Sequence, residues 1–155
     1  MSMTILAKGL HMLAAVIWIG GMFFAYMVLR PAVAGIEAPP ERLRLWRRVL
    51  ERFFPWVWAA VVVLPASGYW LVFDEFGGFG ALGIDTHIMQ GVGLVMILIF
   101  LHLYFAPYRR FGRALAAEDF AAAAGALDRV RAAVATNLAL GLALAAIGAT
   151  GAYWR

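Results

Sequence analysis

Gly9–Leu29 reads GLHMLAAVIWIGGMFFAYMVL, 21 residues without a formal charge, held between Lys8 and Arg30. At helical rise such a run covers the roughly 30 Å hydrocarbon core of a bilayer, where a chain must satisfy its backbone internally. Three further runs have the same character: Phe53–Phe73, Thr86–Tyr108 and Ala132–Trp154, of 21 to 23 residues each. Read together they predict an all-α integral membrane protein, an up-down-up-down four-helix bundle of one domain over residues 1–155. The spans are expected at about 5–30, 53–73, 86–108 and 132–154.

Composition leads the same way, because 65% hydrophobic and 14% charged residues lie outside the range of soluble domains. The chain has no cysteine, which excludes disulfides, thiolate metal sites and iron–sulfur clusters. Its net charge of +4 comes from arginines beside the spans, so the basic balance points to membrane topology and not to nucleic acid. Arg30, Arg42, Arg44, Arg47, Arg48 and Arg52 lie between the first two spans, and Arg109, Arg110, Arg113, Arg129 and Arg131 between the last two. The middle connection carries Asp74, Glu75 and Asp85 and no basic residue. The positive-inside rule then puts both arginine-rich connections in the cytoplasm and both termini on the outer side. Ala32-Val33-Ala34 imitates a signal-peptide cleavage site, but the preceding run is too long and Arg30-Pro31 intervene.

The helices are expected to extend beyond the membrane on the cytoplasmic side. Pro39-Pro40-Glu41 is a helix start, and Leu43, Trp46, Leu50 and Phe53 share one face while Arg44, Arg48 and Arg52 share another. Pro55 and Pro65 are expected to kink the second span. Asp85-Thr86 suits a cap for the third helix, and the fourth is expected to start near Glu118.

Within a bilayer a polar side chain is costly, so the few present carry the functional signal. They are Lys8, His11, His87, Gln90, His102 and Asn137. His11, Trp18 and Met22 fall on one helical stripe with Lys8 a turn above, and the stripe is expected to face the bundle interior. His87 opens the third span at the same end. In an up-and-down bundle the first and third helices are diagonal, an arrangement that lets two imidazoles reach one porphyrin iron from opposite faces. Gly9, Gly20, Gly21, Gly91 and Gly93 would leave room for the macrocycle. Gln90 lies one turn from His87 and can hydrogen-bond a cofactor on that face. His102 is about 22 Å further along the helix, too far to share a metal with His87; a structural or supporting role is the favoured reading, with a group near Arg109 and Arg110 that holds an anionic substituent, or a ligand of a second site, as the others. Copper is the rival: Met1, Met3, Met12 and Met89 lie near His11 and His87 in sequence depth, and thioether with imidazole suits Cu(I). Met12 and Met89 sit about 100° and 200° around their helices from the histidines, which leaves Met1 and Met3 as the thioethers able to join them.

Lys8-Gly9-Leu10-His11, Trp18-Ile19-Gly20-Gly21-Met22-Phe23-Phe24, Leu29-Arg30-Pro31, Phe53-Phe54-Pro55, Ser67-Gly68 and His87-Ile88-Met89-Gln90-Gly91 together resemble the copper-resistance D (CopD) family of bacterial inner-membrane proteins. That resemblance covers nearly the whole chain and implies copper passage or tolerance. The same residues are more distantly similar to the HemJ type of protoporphyrinogen oxidase, which implies haem b. Lys8 and His11 match its lysine-x-x-histidine start and His87 its third-span histidine. Gln90 stands where that family has a lysine and Met27 where it has an arginine, so the resemblance carries haem binding further than oxidase activity.

The leading expectation is therefore a haem-b-binding, electron-transferring protein of the bacterial inner membrane, with His11 and His87 as axial ligands and Gln90, Lys8 and Trp18 around the cofactor. The alternative is a copper carrier using His11, His87, Met1 and Met3. A porphyrin or quinone oxidase, which would make it an oxidoreductase, and a structural subunit without cofactor stay open. The lipid bilayer is the first partner; a redox or metal-donor protein at the periplasmic face and a second copy of the chain are others.

Overall fold

A computed structural model describes residues 3–153, apart from the Ala152 side chain. Its architecture is the expected one. Among the described residues there are four helices long and apolar enough to cross a membrane: α1 (Met3–Ala34), α2 (Pro39–Asp74), α3 (Ile84–Ala116) and α4 (Phe120–Thr150). Met1, a candidate ligand, and Trp154, the end of the fourth uncharged run, lie outside the described residues. Because α1 to α4 run alternately up and down, Thr4, Asp74, Asp85 and Thr150 share one end, called here the acidic end. The arginines of both long connections mark the other.

Local chemistry explains the boundaries. Ala38 is extended and Pro39-Pro40 open α2, where a missing N–H costs nothing. Asp119 caps α4 by accepting the Ala122 N–H at 2.9 Å. In α3 the N-cap is Gly83 and not Asp85, which falls in the first turn, where its charge meets the positive end of the helix.

α2 stays α-helical through Pro55 and Pro65. Two π-helical turns interrupt α1 and α3, Phe24–Leu29 just before Pro31 and Tyr104–Tyr108 around Pro107. A wider turn relieves the clash between the proline ring and the carbonyl four residues back. Both turns sit at the arginine-rich end, beside Arg30 and Arg109.

The core is aromatic on three helices and small on the fourth. Phe54 of α2 meets Phe100 at 5.7 Å, Tyr104 at 5.8 Å and Tyr108 at 4.6 Å between ring centres. Trp18 of α1 reaches Phe100 of α3 edge-on at 6.3 Å, which fills the diagonal across the bundle. α4 supplies Ala123, Ala126, Leu127, Val130 and Gly141, small or branched residues that let the helix approach. A Cβ on Gly141 would lie 2.9 Å from Ile19 Cγ1.

Asn137 ties α4 to α3 by donating its Nδ2–H to the Met96 carbonyl at 3.0 Å, while its Oδ1 is buried without a partner among the described residues. Flipping the amide would set carbonyl against carbonyl, so the orientation follows from the bond. Such bonds average only about 0.6 kcal/mol in a membrane, whereas burying an unmet acceptor costs about 1–3 kcal/mol. Asn137→Leu is therefore expected to leave unfolding in detergent unchanged or shift it toward greater stability. A clear loss of stability would mean that the bond outweighs the orphan oxygen.

Candidate functional site

The predicted stripe on α1 is present. Trp18 is 3% exposed and Met22, Ala14 and Ala25 are buried on the same face, with His11 half-buried above them. Against His11 stands α2. The imidazole Nδ1 is 3.0 Å from Ser67 Oγ, and the ring lies over Gly68, where a Cβ would stand 3.3 Å from His11 Cε1. Glycine at this point lets the imidazole close on the α2 backbone.

The hydroxyl fixes the tautomer. Ser67 Oγ is 2.6 Å from the Val63 carbonyl and 3.2 Å from that of Leu64. A carbonyl can only accept, so the hydroxyl hydrogen is committed to Val63, and Oγ faces His11 with its lone pairs. His11 then donates from Nδ1–H. In the neutral ring this places the in-plane lone pair on Nε2, the form in which histidine ligates metals.

Above His11 the acidic end is closed by two contacts between α1 and the end of α2. Lys8 Nζ and Glu75 Oε1 pair at 2.7 Å with the lysine side chain 54% exposed, and the Thr4 hydroxyl donates to the Asp74 carboxylate. So exposed a pair contributes little stability. It does tie Lys8, one helical turn from His11, to a carboxylate at the end of α2.

The remaining candidates are not gathered at His11. His87 is exposed on α3, and none of the hydrogen bonds or ion pairs described joins it to His11. Gln90 is engaged across the α2–α3 contact, donating from Nε2 to Tyr69 Oη at 3.2 Å. Trp18 lies two turns deeper than His11. Met3 and Met12 are exposed, Met12 by 65%, and the Met89 methyl lies against Gly148 of α4, so the described methionines form no cluster around the histidine. His102 is exposed further down α3.

The glycines expected to leave room for a macrocycle are of two kinds. Gly9, Gly20, Gly91 and Gly93 have nothing within 4 Å of an added Cβ, whereas Gly21 is covered by the Phe53 ring. Between α1 and α3 the next layer down is the Trp18–Phe100 contact. No group of three or more His, Asp or Glu among the described residues is placed to hold an ion. This argues against a hard, many-oxygen site within them. The donor that stands ready is one imidazole nitrogen.

Sequence reading did not assign Ser67 as the partner of His11. The signal was available: α1 and α2 are antiparallel, and Ser67 is the one aliphatic hydroxyl in the otherwise apolar run Phe53–Phe73, at His11's depth.

These features define a four-helix membrane protein with an inward-turned histidine at its acidic end. A family model described as copper resistance protein D matches residues 47–151, and the chain belongs to that family. The match runs from Arg47 within α2 to the end of α4 and leaves α1, with His11, outside it. No curated protein and no solved structure matches.

Proposed function

We propose that the protein handles copper as cargo in a bacterial inner membrane, taking Cu(I) at the acidic end through His11 Nε2. The observation that supports it is the Val63–Ser67–His11 chain of hydrogen bonds, which in a neutral imidazole turns the lone pair to Nε2. Family membership supports copper as the cargo. A low-coordinate soft ion suits a site with one imidazole and thioethers close by in sequence, and Asp74, Glu75 and Asp85 make the mouth attractive to cations. His87 and Met3, both exposed at this end, are the residues to which the ion would pass or from which it would come. A periplasmic metal-donor protein is the matching partner.

Metal analysis of the purified protein, with its visible spectrum, tests this reading. Bound copper without a Soret band is the expected result. A Soret band with bis-imidazole features, lost in His87→Ala, would overturn it in favour of haem b and electron transfer.

The same reading places both termini in the periplasm. A tag at either terminus is then expected to react with a membrane-impermeant reagent in intact spheroplasts, and a cysteine introduced between Arg42 and Arg52 only after lysis. The reverse pattern would put His11 on the cytoplasmic side and remove the proposed direction of delivery.

A further inference from the structure

At the opposite end of the bundle, two buried donors lack acceptors. Trp46 of α2 is 4% exposed, and its indole Nε1 has no partner among the described residues; neither does Nε of Arg131 on α4. The two side chains face each other, the Arg131 guanidinium lying 5.2 Å from the Trp46 ring centre. Neither can satisfy the other, because both only donate. Asp128 meets Arg131 at Nη1, at 3.0 Å, which leaves the Nε edge unmatched. Orphaned donors in a membrane protein call for an oxygen from elsewhere.

Trp46 and Arg131 line a small cavity of about 20 Å³ whose wall also includes Tyr26 and Arg30 of α1. Tyr26 and Arg30 in turn line a shallow groove of about 330 Å³ on α1, floored by Met27 and Pro31 where the π-helical turn ends. The Arg30 guanidinium stands 4.9 Å from the Tyr26 ring centre and makes no ion pair among the described residues. No acidic residue lines the cavity or the groove. Both arginines directly flank uncharged runs, Arg30 after Leu29 and Arg131 before Ala132, which puts them at headgroup level.

We infer that this corner, between α1, α2 and α4, binds the headgroup of an anionic phospholipid. The phosphate lies between Arg30 and Arg131 with an oxygen turned toward Trp46 Nε1, and an acyl chain follows Met27 down the groove. Charge complementarity, the missing acceptor and the apolar groove beside it each select this occupant over a zwitterionic lipid. The inference does not depend on what the acidic end carries.

Native mass spectrometry of the full chain in detergent, titrated with phosphatidylglycerol or phosphatidylcholine, tests it. One phosphatidylglycerol is expected to be retained in preference to phosphatidylcholine, and saturating inorganic phosphate is expected not to displace it. Arg30→Ala with Arg131→Ala is expected to weaken retention roughly thirtyfold. Trp46→Phe keeps a ring under Arg131 and deletes only the donor, so a loss of about fivefold is expected from it alone. Arg113→Ala, which removes an exposed charge at the same end, is expected to change nothing. Equal retention of the two lipids, displacement by inorganic phosphate, an equal loss from Arg113→Ala, or an unaffected Trp46→Phe would each overturn the site.

Discussion

His11→Ala is expected to remove high-affinity Cu(I) binding from the purified protein, measured by competition with a chromophoric Cu(I) chelator. The effect should exceed that of any other single change at the acidic end, because it deletes the one donor whose lone pair the structure orients. Ser67→Ala should be milder and more informative. Without the hydroxyl, the imidazole loses its Ser67 partner and divides its population more widely between tautomers and orientations. Loss of such a supporting bond typically costs about 10- to 100-fold in metal affinity. Gly68→Ala should act in the same direction by pressing a methyl group to 3.3 Å from His11 Cε1 and turning the ring. His102→Ala is the control and should leave affinity unchanged, since that residue is exposed further down α3. Unchanged affinity in both His11→Ala and Ser67→Ala would remove the site from α1 altogether.

What could be read from the sequence follows the physics of each signal. The helices were legible because an uncharged run of 21 residues has few alternatives in a bilayer. The His11–Trp18–Met22 stripe was legible because helical periodicity relates residues on one helix. Periodicity does not say which neighbour that stripe meets. His11 faces Ser67 of α2 and not His87 across the diagonal, and this depends on how α1 rotates against α2, fixed by contacts such as Phe53 over Gly21. The described methionines form no cluster for the same reason: similar depth on different helices is not proximity. The prolines show a further limit. Pro31 and Pro107 are accompanied by π-helical turns, whereas Pro55 and Pro65 are absorbed without one, a difference that the residue type does not announce.

Phe54→Ala is expected to give the largest loss of stability of any single truncation in the bundle. In a soluble protein the expected cost of about 3–5 kcal/mol combines lost hydrophobic transfer with the cavity left behind. Here the first part is small, because lipid tails are as apolar as the core and a phenyl ring exposed to them gives up little. What remains is contact. Phe54 meets the rings of Phe53, Phe100, Tyr104 and Tyr108, with centre distances from 4.6 to 6.5 Å. Aromatic pairs of this kind contribute about 0.5–1.5 kcal/mol each beyond buried area, so even the lower figure across the set gives about 2 kcal/mol before any cavity cost. Trp56 on the same helix is 60% exposed and meets lipid, so Trp56→Ala should lose far less although it removes a larger side chain. Steric-trap or denaturant unfolding in bicelles would compare the two variants directly. A Trp56→Ala loss equal to that of Phe54→Ala would mean that burial against lipid, and not ring-on-ring contact, holds α2 to α3.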